Sequence, residues 1–431
     1  MAAAVSAEAP PNPLLNGLVA DPAGGPVEPC APAAPEGGPW ELGNRVGSAE
    51  ARLVAWRALA WQWGHSELRS VAACRRSVIT GQKAELVMSA RASARWQQLR
   101  TCGSAWACPV CARKVWAGRA ELLAEALTEW ADRDGYAALV TLTTRHHAKQ
   151  DLATIWEGLG AAWRAVEQSR GVRAERERLG LVGFVRRIEA SWGPTFGWHL
   201  HIHAVAFFER EPSEEQLEVF GDALHSAWSA RLVKHGQQAP LRGPGVDVKL
   251  LDLANPAAAV AGYITQRTTP EGMAARELAD AMGGKRGKRG NRTSWELLAD
   301  AMDGDKQARK MWHEWERASK GKRALTWGPI KRLLGLNEPT DDELAADDDE
   351  LEAALIAALT PAEWTQLCRR KDGPAELLQI AERAYRSQPI GDRVASIWAA
   401  MGDVALTLEA WAIRGPLSGS PPARAGCAAA Q

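Results

Sequence analysis

Tyrosine and histidine are scarce in this sequence, and it lacks a net charge and a long apolar run. Only three of the 431 residues are tyrosine, against 20 tryptophans, and histidine occurs nine times. Net charge is absent, because 52 Lys and Arg balance 52 Asp and Glu, so overall charge favours neither a nucleic-acid nor a membrane partner. No run of about 18 apolar residues predicts a membrane span. The first residues also lack the basic and apolar regions of a signal peptide, so we expect a cytoplasmic protein.

Cysteine is unevenly distributed. The seven cysteines are an odd number, which argues against a secreted disulfide framework. Four of them cluster: Cys74, Cys102, Cys108 and Cys111. The Cys-x-x-Cys pair with two further cysteines upstream predicts a structural Zn²⁺ site, although redox chemistry is an alternative and His65 is an alternative fourth ligand.

Composition divides the chain into segments. Residues 261–335 carry sixteen Lys or Arg against nine Asp or Glu, and residues 338–352 carry nine acidic and no basic residues. We expect the latter to be a solvated linker. The segments predicted are a disordered leader at 1–45, a helical and zinc-binding segment at 46–132, an α+β core at 133–268, a basic extension at 269–337, an acidic linker at 338–352, a helical C-terminal domain at 353–414 and a disordered tail at 415–431.

The core has a β-α-β-β-α-β-α pattern. Residues 136–144 and 181–192 are strand-like, and Ser213 with Gln216 forms a capping box before a helix. Two adjacent strands flanked by helices predict an antiparallel sheet covered on one face, which is an α+β, ferredoxin-like fold.

The segment "GWHLHIHAVAFF" carries His199, His201 and His203 at two-residue spacing. Side chains alternate faces on a strand, so these imidazoles lie on one face and predict a metal site. The alternative is an exposed strand face that carries histidines by chance. Zinc hydrolases of the metallo-β-lactamase kind need further acidic and histidine ligands just downstream, where this sequence has "AVAFFERE". Cupins also carry His-x-His on strands, but their all-β architecture is contradicted by the long helical segments between the strands here. A further ligand is expected from the preceding strand, where Glu189 is the candidate; its alternative role is an ion pair with Arg186 or Arg187.

One of the three tyrosines is a candidate nucleophile. Tyr136 opens a strand, and Tyr385 lies in a distant helical region. Tyr263 lies on a predicted helix that can pack beside the metal strand. A phenolate near a divalent ion can attack a phosphate in line; the alternative is a helix residue that only covers the sheet.

Taken together, "TLTT", "GWHLHIHAVAFF" and "GYITQ" resemble motifs one, two and three of the HUH endonucleases, specifically the replication initiator (Rep) proteins of actinobacterial rolling-circle plasmids. The resemblance extends to the cysteine segment "RTCGSAWACPVCARKVWAGRAELL" and to the basic segment "GNRTSWELLADA…WHEWERASKGKRALTW", and covers roughly residues 70–335.

This resemblance implies a site-specific single-strand DNA nickase. His201 and His203 would be the paired ligands of Mn²⁺ or Mg²⁺, Glu189 the third ligand and His199 a neighbouring one. Tyr263 would attach to the 5′ phosphate of plasmid origin DNA, single-stranded or extruded as a hairpin, and host helicase and polymerase would extend the free 3′ end. The family commonly has a lysine at the position of Gln266.

The basic extension holds further candidates. A DNA-contacting role is expected for Arg267, Lys285, Arg286, Lys288, Arg289 and Arg292, although a solvated loop is the alternative. Base stacking or a core position is expected for Trp295, Trp312, Trp315 and Trp327. Two alternatives for the whole chain remain: a relaxase or transposase with the same chemistry, and a non-catalytic zinc-ribbon DNA-binding protein.

Overall fold

A computed structural model describes residues 49–89, 92–254, 291–346, 353–370 and 372–386. The helices in these ranges are α1 Ala49–His65, α2 Arg69–Ala72, α3 Pro109–Ala131, α4 Leu152–Gln168, α5 Arg170–Leu179, α6 Glu214–Lys234, α7 Arg242–Gly245, α8 Ser294–Met302, α9 Lys306–Ser319, α10 Ile330–Leu333, α11 Asp341–Ala346, α12 Pro361–Cys368 and α13 Gly373–Arg386. The strands are β1 Ala84–Ser89, β2 Ala94–Gln97, β3 Tyr136–Thr143, β4 Leu181–Gly193, β5 Gly197–Phe208, β6 Val246–Leu250, β7 Arg292–Thr293 and β8 Ala353–Leu359. The chain is therefore α+β, as the sequence predicts.

The larger sheet has five strands in the order β6-β3-β5-β4-β7, and every neighbouring pair is antiparallel. Its long central hairpin, β4–β5, turns at Gly197, whose φ of +76° suits glycine. A Cβ there would lie 2.9 Å from the Cα of Ala148, so the turn also needs glycine for a close backbone approach. The hairpin is thereby held against the loop that follows β3.

One face of this sheet is covered by helices. Leu200, Ile202 and Ala204 on β5 are fully buried. The helices α4 and α6 pack against each other, and α4 contacts β5. The capping box predicted at Ser213 and Gln216 is confirmed at the start of α6. Because side chains alternate along β5, the histidines lie on the opposite face.

The smaller sheet differs from expectation. It has three strands in the order β2-β1-β8, and β8 consists of residues 353–359, which were predicted to be helical. The run of Ala, Leu and Ile is compatible with a helix or with a strand. Antiparallel pairing with β1, from Ala84–Leu359 to Ser89–Ala353, makes it a strand. Residues 387–414 of the predicted C-terminal domain lie outside the described residues.

The C-terminal segment also packs on the cysteine segment rather than standing apart from it. Trp364 donates its indole N–H to the carbonyl of Arg75 at 3.1 Å, and Trp96 donates to the carbonyl of Pro374 at 3.1 Å. Arg52 forms an ion pair with Glu382. Residues separated by more than 250 positions therefore share one core, which local patterns do not reveal.

The acidic segment is not only a solvated linker. Residues 341–346 form α11, which packs on α3. Arg119 of α3 is 5% exposed and pairs with Asp341 at 2.6 Å and Glu338 at 2.9 Å. A nearly buried cation attracts these carboxylates, and this is the physical reason that this part of the acidic segment packs on α3.

The tryptophans of the basic extension belong to the core. Trp295, Trp312, Trp315 and Trp327 are each less than 5% exposed, so they are not available for stacking on bases. The predicted leader and tail, residues 1–45 and 415–431, lie outside the described residues. Of the helices described, none combines the length and apolar character that crossing a membrane requires.

Candidate functional site

The register of the central hairpin brings the predicted ligands together. Glu189 on β4 lies directly opposite His201 on β5, and residues two apart on a strand share a face. Glu189, His201 and His203 therefore form one cluster on the sheet face that α4 does not cover, with all three ligand atoms within 4.8 Å of one another.

The distances in this cluster suit a metal ion. Oε2 of Glu189 lies 3.4 Å from Nε2 of His201 and 3.2 Å from Nε2 of His203. Metal–ligand bonds of about 2.1 Å at angles between about 90° and 109° separate two ligand atoms by about 3.0–3.4 Å. Two imidazole nitrogens and a carboxylate therefore present a donor set that could hold a divalent ion.

Two neighbouring side chains hold the ligands in place. Oγ1 of Thr141 on β3 lies 3.1 Å from Nδ1 of His203, which leaves Nε2 directed at Glu189. Arg187, 4% exposed, donates to Oε2 of Glu189 at 3.1 Å. Such outer contacts orient metal ligands and select the imidazole tautomer. From the sequence, Arg187 was expected only as an alternative partner of Glu189, and the contact between Thr141 and His203 was not predicted.

The charge states also suit a metal. Burial raises the pKa of Glu189, but hydrogen bonds with His201 and His203 and the charge of Arg187 outweigh burial and hold the pKa well below its usual range. Burial lowers the pKa of His203, which favours the neutral imidazole with a free lone pair. A carboxylate beside a neutral imidazole is the form in which both bind metals.

His199 lies outside the group of three. Its Nδ1 lies 3.1 Å from Nδ1 of His146, in the loop after β3. Burial, followed by the neighbouring His201 and His146, lowers the pKa of His199 to about 4. Sequence reasoning missed His146; the available signal was the His-His doublet directly after the strand that pairs with β5.

The four predicted cysteines converge on one point. Sγ of Cys74 lies 3.6 Å from those of Cys108 and Cys111, and Cys102 lies 3.8 Å from Cys111. Tetrahedral Zn–S bonds of about 2.3 Å separate sulfurs by about 3.8 Å, whereas a disulfide needs about 2.05 Å. The group therefore fits a four-thiolate metal site.

The helix α3 begins inside this cysteine site. Cys108 is the N-cap of α3, and its sulfur accepts a hydrogen bond from the backbone N–H of Cys111 at 3.5 Å. Hydrogen bonds from Cys102, Cys108 and Cys74 hold the pKa of Cys111 well below its usual value. His65 is not in the cluster, since it is exposed and stacks on Trp61 with ring centroids 4.2 Å apart.

Of the remaining predicted site residues, the structure describes Arg292. Arg292 lies on β7, where its Nε is 2.6 Å from Oδ2 of Asp300. The other predicted residues lie outside the described ones: Tyr263, Gln266, Arg267, Lys285, Arg286, Lys288 and Arg289.

Comparison with known proteins gives two relatives. "Protein rep" of Streptomyces lividans is 32% identical over 68% of this chain and 80% of its own length. "Neomycin resistance protein" of Streptomyces cyanogenus is 33% identical over 25% of this chain and 30% of its own length. No protein-family model and no solved structure matches. The identity and coverage shared with the first relative show that this chain belongs to the family of the Streptomyces Rep protein.

Proposed function

We propose that the chain initiates rolling-circle replication of a plasmid by nicking and rejoining one DNA strand at the origin. The observation that carries the proposal is the Glu189–His201–His203 cluster on one sheet face, in a chain whose relative is named Rep. A Rep protein that opens an origin needs a site that activates one phosphodiester, and this cluster supplies the ligands for such a site.

The order of the sheet supports the same assignment. Without the short β7, the strands run β6-β3-β5-β4, with helices between β3 and β4 and between β5 and β6. This order is that of a ferredoxin-like β-α-β-β-α-β unit, the core that the resemblance to HUH endonucleases implies.

Glu189, His201 and His203 would hold Mn²⁺ or Mg²⁺. When bound, such an ion withdraws electron density from the oxygens of the scissile phosphate. Mn²⁺ accepts imidazole more readily than Mg²⁺ does, because Mg²⁺ prefers oxygen ligands. Thr141 and Arg187 keep the ligands oriented throughout the reaction.

Tyr263 is the proposed nucleophile. Its phenolic oxygen loses a proton and attacks phosphorus in line, and the bond between phosphorus and the 3′ oxygen breaks. The departing 3′ oxygen takes up a proton, and the 5′ phosphate stays on the tyrosine. The free 3′ hydroxyl then primes synthesis by host helicase and polymerase, and attack by a 3′ hydroxyl on the phosphotyrosine rejoins the strand.

The cysteine site has a structural role in this proposal. A closed four-sulfur Zn²⁺ site has no open coordination position, so it stabilises a fold and does no hydrolysis. The site holds together the start of α3 and the segment after α2, and we assign this module to DNA binding. The basic residues of the extension would contact DNA phosphates. The reaction would take place in the cytoplasm.

Covalent capture tests the proposal. The protein is incubated with Mn²⁺ and labelled single-stranded oligonucleotides that tile the DNA next to its coding sequence, and the products are separated in SDS. We expect an SDS-resistant adduct that disappears in Tyr263→Phe and persists in the control Tyr385→Phe, which changes a tyrosine on α13. An adduct in Tyr263→Phe would refute the nucleophile, and no adduct from the wild type would leave the non-catalytic DNA-binding alternative. Adducts at a transfer origin or a transposon end instead would indicate a relaxase or transposase.

A further inference from the structure

A cleft lies at the turn of the β4–β5 hairpin. Its volume is about 670 Å³. Three elements line it: the hairpin turn around Gly193 and Gly197, the loop 148–151 and the helix α9. The side chains and backbone of these elements form an open groove, and the metal cluster does not contribute to it.

The cleft and the metal face both lie near the end of the β4–β5 hairpin. His146, which contacts His199 at 3.1 Å, begins the same loop that reaches the cleft at Ala148 and Lys149. His199 is two residues from Gly197 of the cleft and two residues from His201 of the metal cluster. Trp192, Trp198 and α9 place the cleft on the helix-covered side of the sheet. A strand that crosses the metal face therefore passes His199 and reaches the cleft around the end of the hairpin.

The cleft carries exposed cations on two of the elements that line it. Lys149 lies on the loop and Lys310 on α9, and neither has an ion-pair partner within the described part of the chain. Lys306, Lys310 and Arg317 are spaced so that they lie on one side of α9, and Arg317 pairs with Glu67 at 2.5 Å.

The two carboxylates of the cleft are engaged elsewhere. Asp151 caps α4 by accepting from the backbone N–H of Thr154 at 2.9 Å. Glu314 accepts from the backbone N–H of Leu152 at 2.7 Å. Both therefore bind the positive end of α4, which offsets part of their charge. Lys149 and Lys310 remain as exposed cations that can contact an anion in the cleft.

An aromatic side chain stands beside the cleft. Phe196, in the hairpin turn between Pro194 and Gly197, is 64% exposed. Exposed aromatic rings next to cations are typical of single-strand binding surfaces, because every base offers a face for stacking.

We propose that this cleft binds the single-stranded DNA that flanks the cut site, with Lys149 and Lys310 on its phosphates. The inference rests on the proposed nicking function and adds the path of the substrate strand. A volume in the range of small-ligand pockets admits roughly one or two nucleotides of a single strand and no duplex.

Binding measured without cutting tests the cleft. In a Tyr263→Phe background, with Zn²⁺ retained and no other divalent ion added, fluorescence anisotropy gives the affinity for a labelled single-stranded oligonucleotide and for its duplex over a range of salt. The test variant is Lys149→Ala/Lys310→Ala. The control is Arg231→Ala/Lys234→Ala, which removes two exposed cations from α6, outside the cleft.

We expect the test variant to bind the single strand about ten-fold more weakly, with a salt dependence smaller by about 1.4, since each phosphate contact to a single strand contributes about 0.7. The control and the duplex affinity should stay unchanged. Equal binding by test and control variants, or an equal loss for duplex, would overturn the inference. Nicking is scored separately by the covalent adduct, so a chain that never forms an adduct but loses single-strand affinity would refute the proposed function and not the cleft.

Discussion

Glu189 and His201 lie directly opposite each other on neighbouring antiparallel strands, with Oε2 of Glu189 3.4 Å from Nε2 of His201. The short turn between Gly193 and Gly197 sets this register, because the lengths of turn and strands leave one pairing in which the buried face stays buried. A shift by one residue would move Glu189 to the opposite face and dismantle the cluster.

The carboxylate of Glu189 should be essential for metal binding. Glu189→Gln keeps the shape of the side chain but removes the charge that faces both histidines. We expect its affinity for Mn²⁺, measured by calorimetry, to fall by at least about 100-fold, since a lost ligand should cost more than a lost outer contact. Glu209→Gln, an exposed glutamate just beyond β5, is the control; equal affinity in both variants would show that Glu189 is not a ligand.

Thr141 should raise the metal affinity of the same site, although it is not itself a ligand. Thr141→Val keeps the side-chain shape and removes the hydroxyl 3.1 Å from Nδ1 of His203. We expect a loss of about 10–100-fold in Mn²⁺ affinity with an unchanged circular dichroism spectrum. Thr143→Val is the matched control on the same strand, because Thr143 donates to the carbonyl of Pro244 at 3.0 Å and to no histidine. If both variants bind Mn²⁺ like the wild type, Thr141 does not orient His203.

Removal of the metal from the cysteine site should unfold the region around it. Elemental analysis should find one zinc per chain in the wild type and none in Cys111→Ser. Loss of a structural zinc removes several kcal/mol of stability, and we expect the melting temperature to fall by about 10 °C or more. Cys368→Ser is the control, because Cys368 lies outside the four-cysteine group. The assignment would be contradicted by a wild type that contains no zinc, or by a Cys111→Ser variant that melts at the temperature of the wild type.

Arg119 should stabilise the fold by holding the acidic helix α11. Arg119→Ala leaves Asp341 without its cation and Glu338 with Lys331 alone, 3.1 Å away. We expect a loss of about 2 kcal/mol in the free energy of unfolding, less than for a fully buried pair because both carboxylates are partly exposed. The exposed pair Arg133–Glu129 gives the comparison, since Arg133→Ala should cost about 0.5 kcal/mol or less. Urea denaturation of both variants measures the difference. Equal losses would mean that α11 does not depend on Arg119.

Patterns with a short period were readable from the sequence. Alternation along 197–208 predicted one face for His199, His201 and His203, and the strand β5 confirms this. The spacing of the four cysteines predicted a metal site, and their sulfurs converge. Such predictions succeed because the alternation of side chains along a strand and the close spacing of a Cys-x-x-Cys pair are local properties of the chain.

Contacts between distant residues were decided only by the folded chain. His146 and Thr141 reach the histidine face because β3 pairs with β5, and nothing in their own neighbourhood in the sequence announces that pairing. Residues 353–359 form the strand β8 because they pair with the edge of β1. The helix α11 packs on α3 because its Asp341 pairs with the nearly buried Arg119. Composition and local period do not encode which surfaces meet, since that depends on burying all the apolar faces of the chain at once.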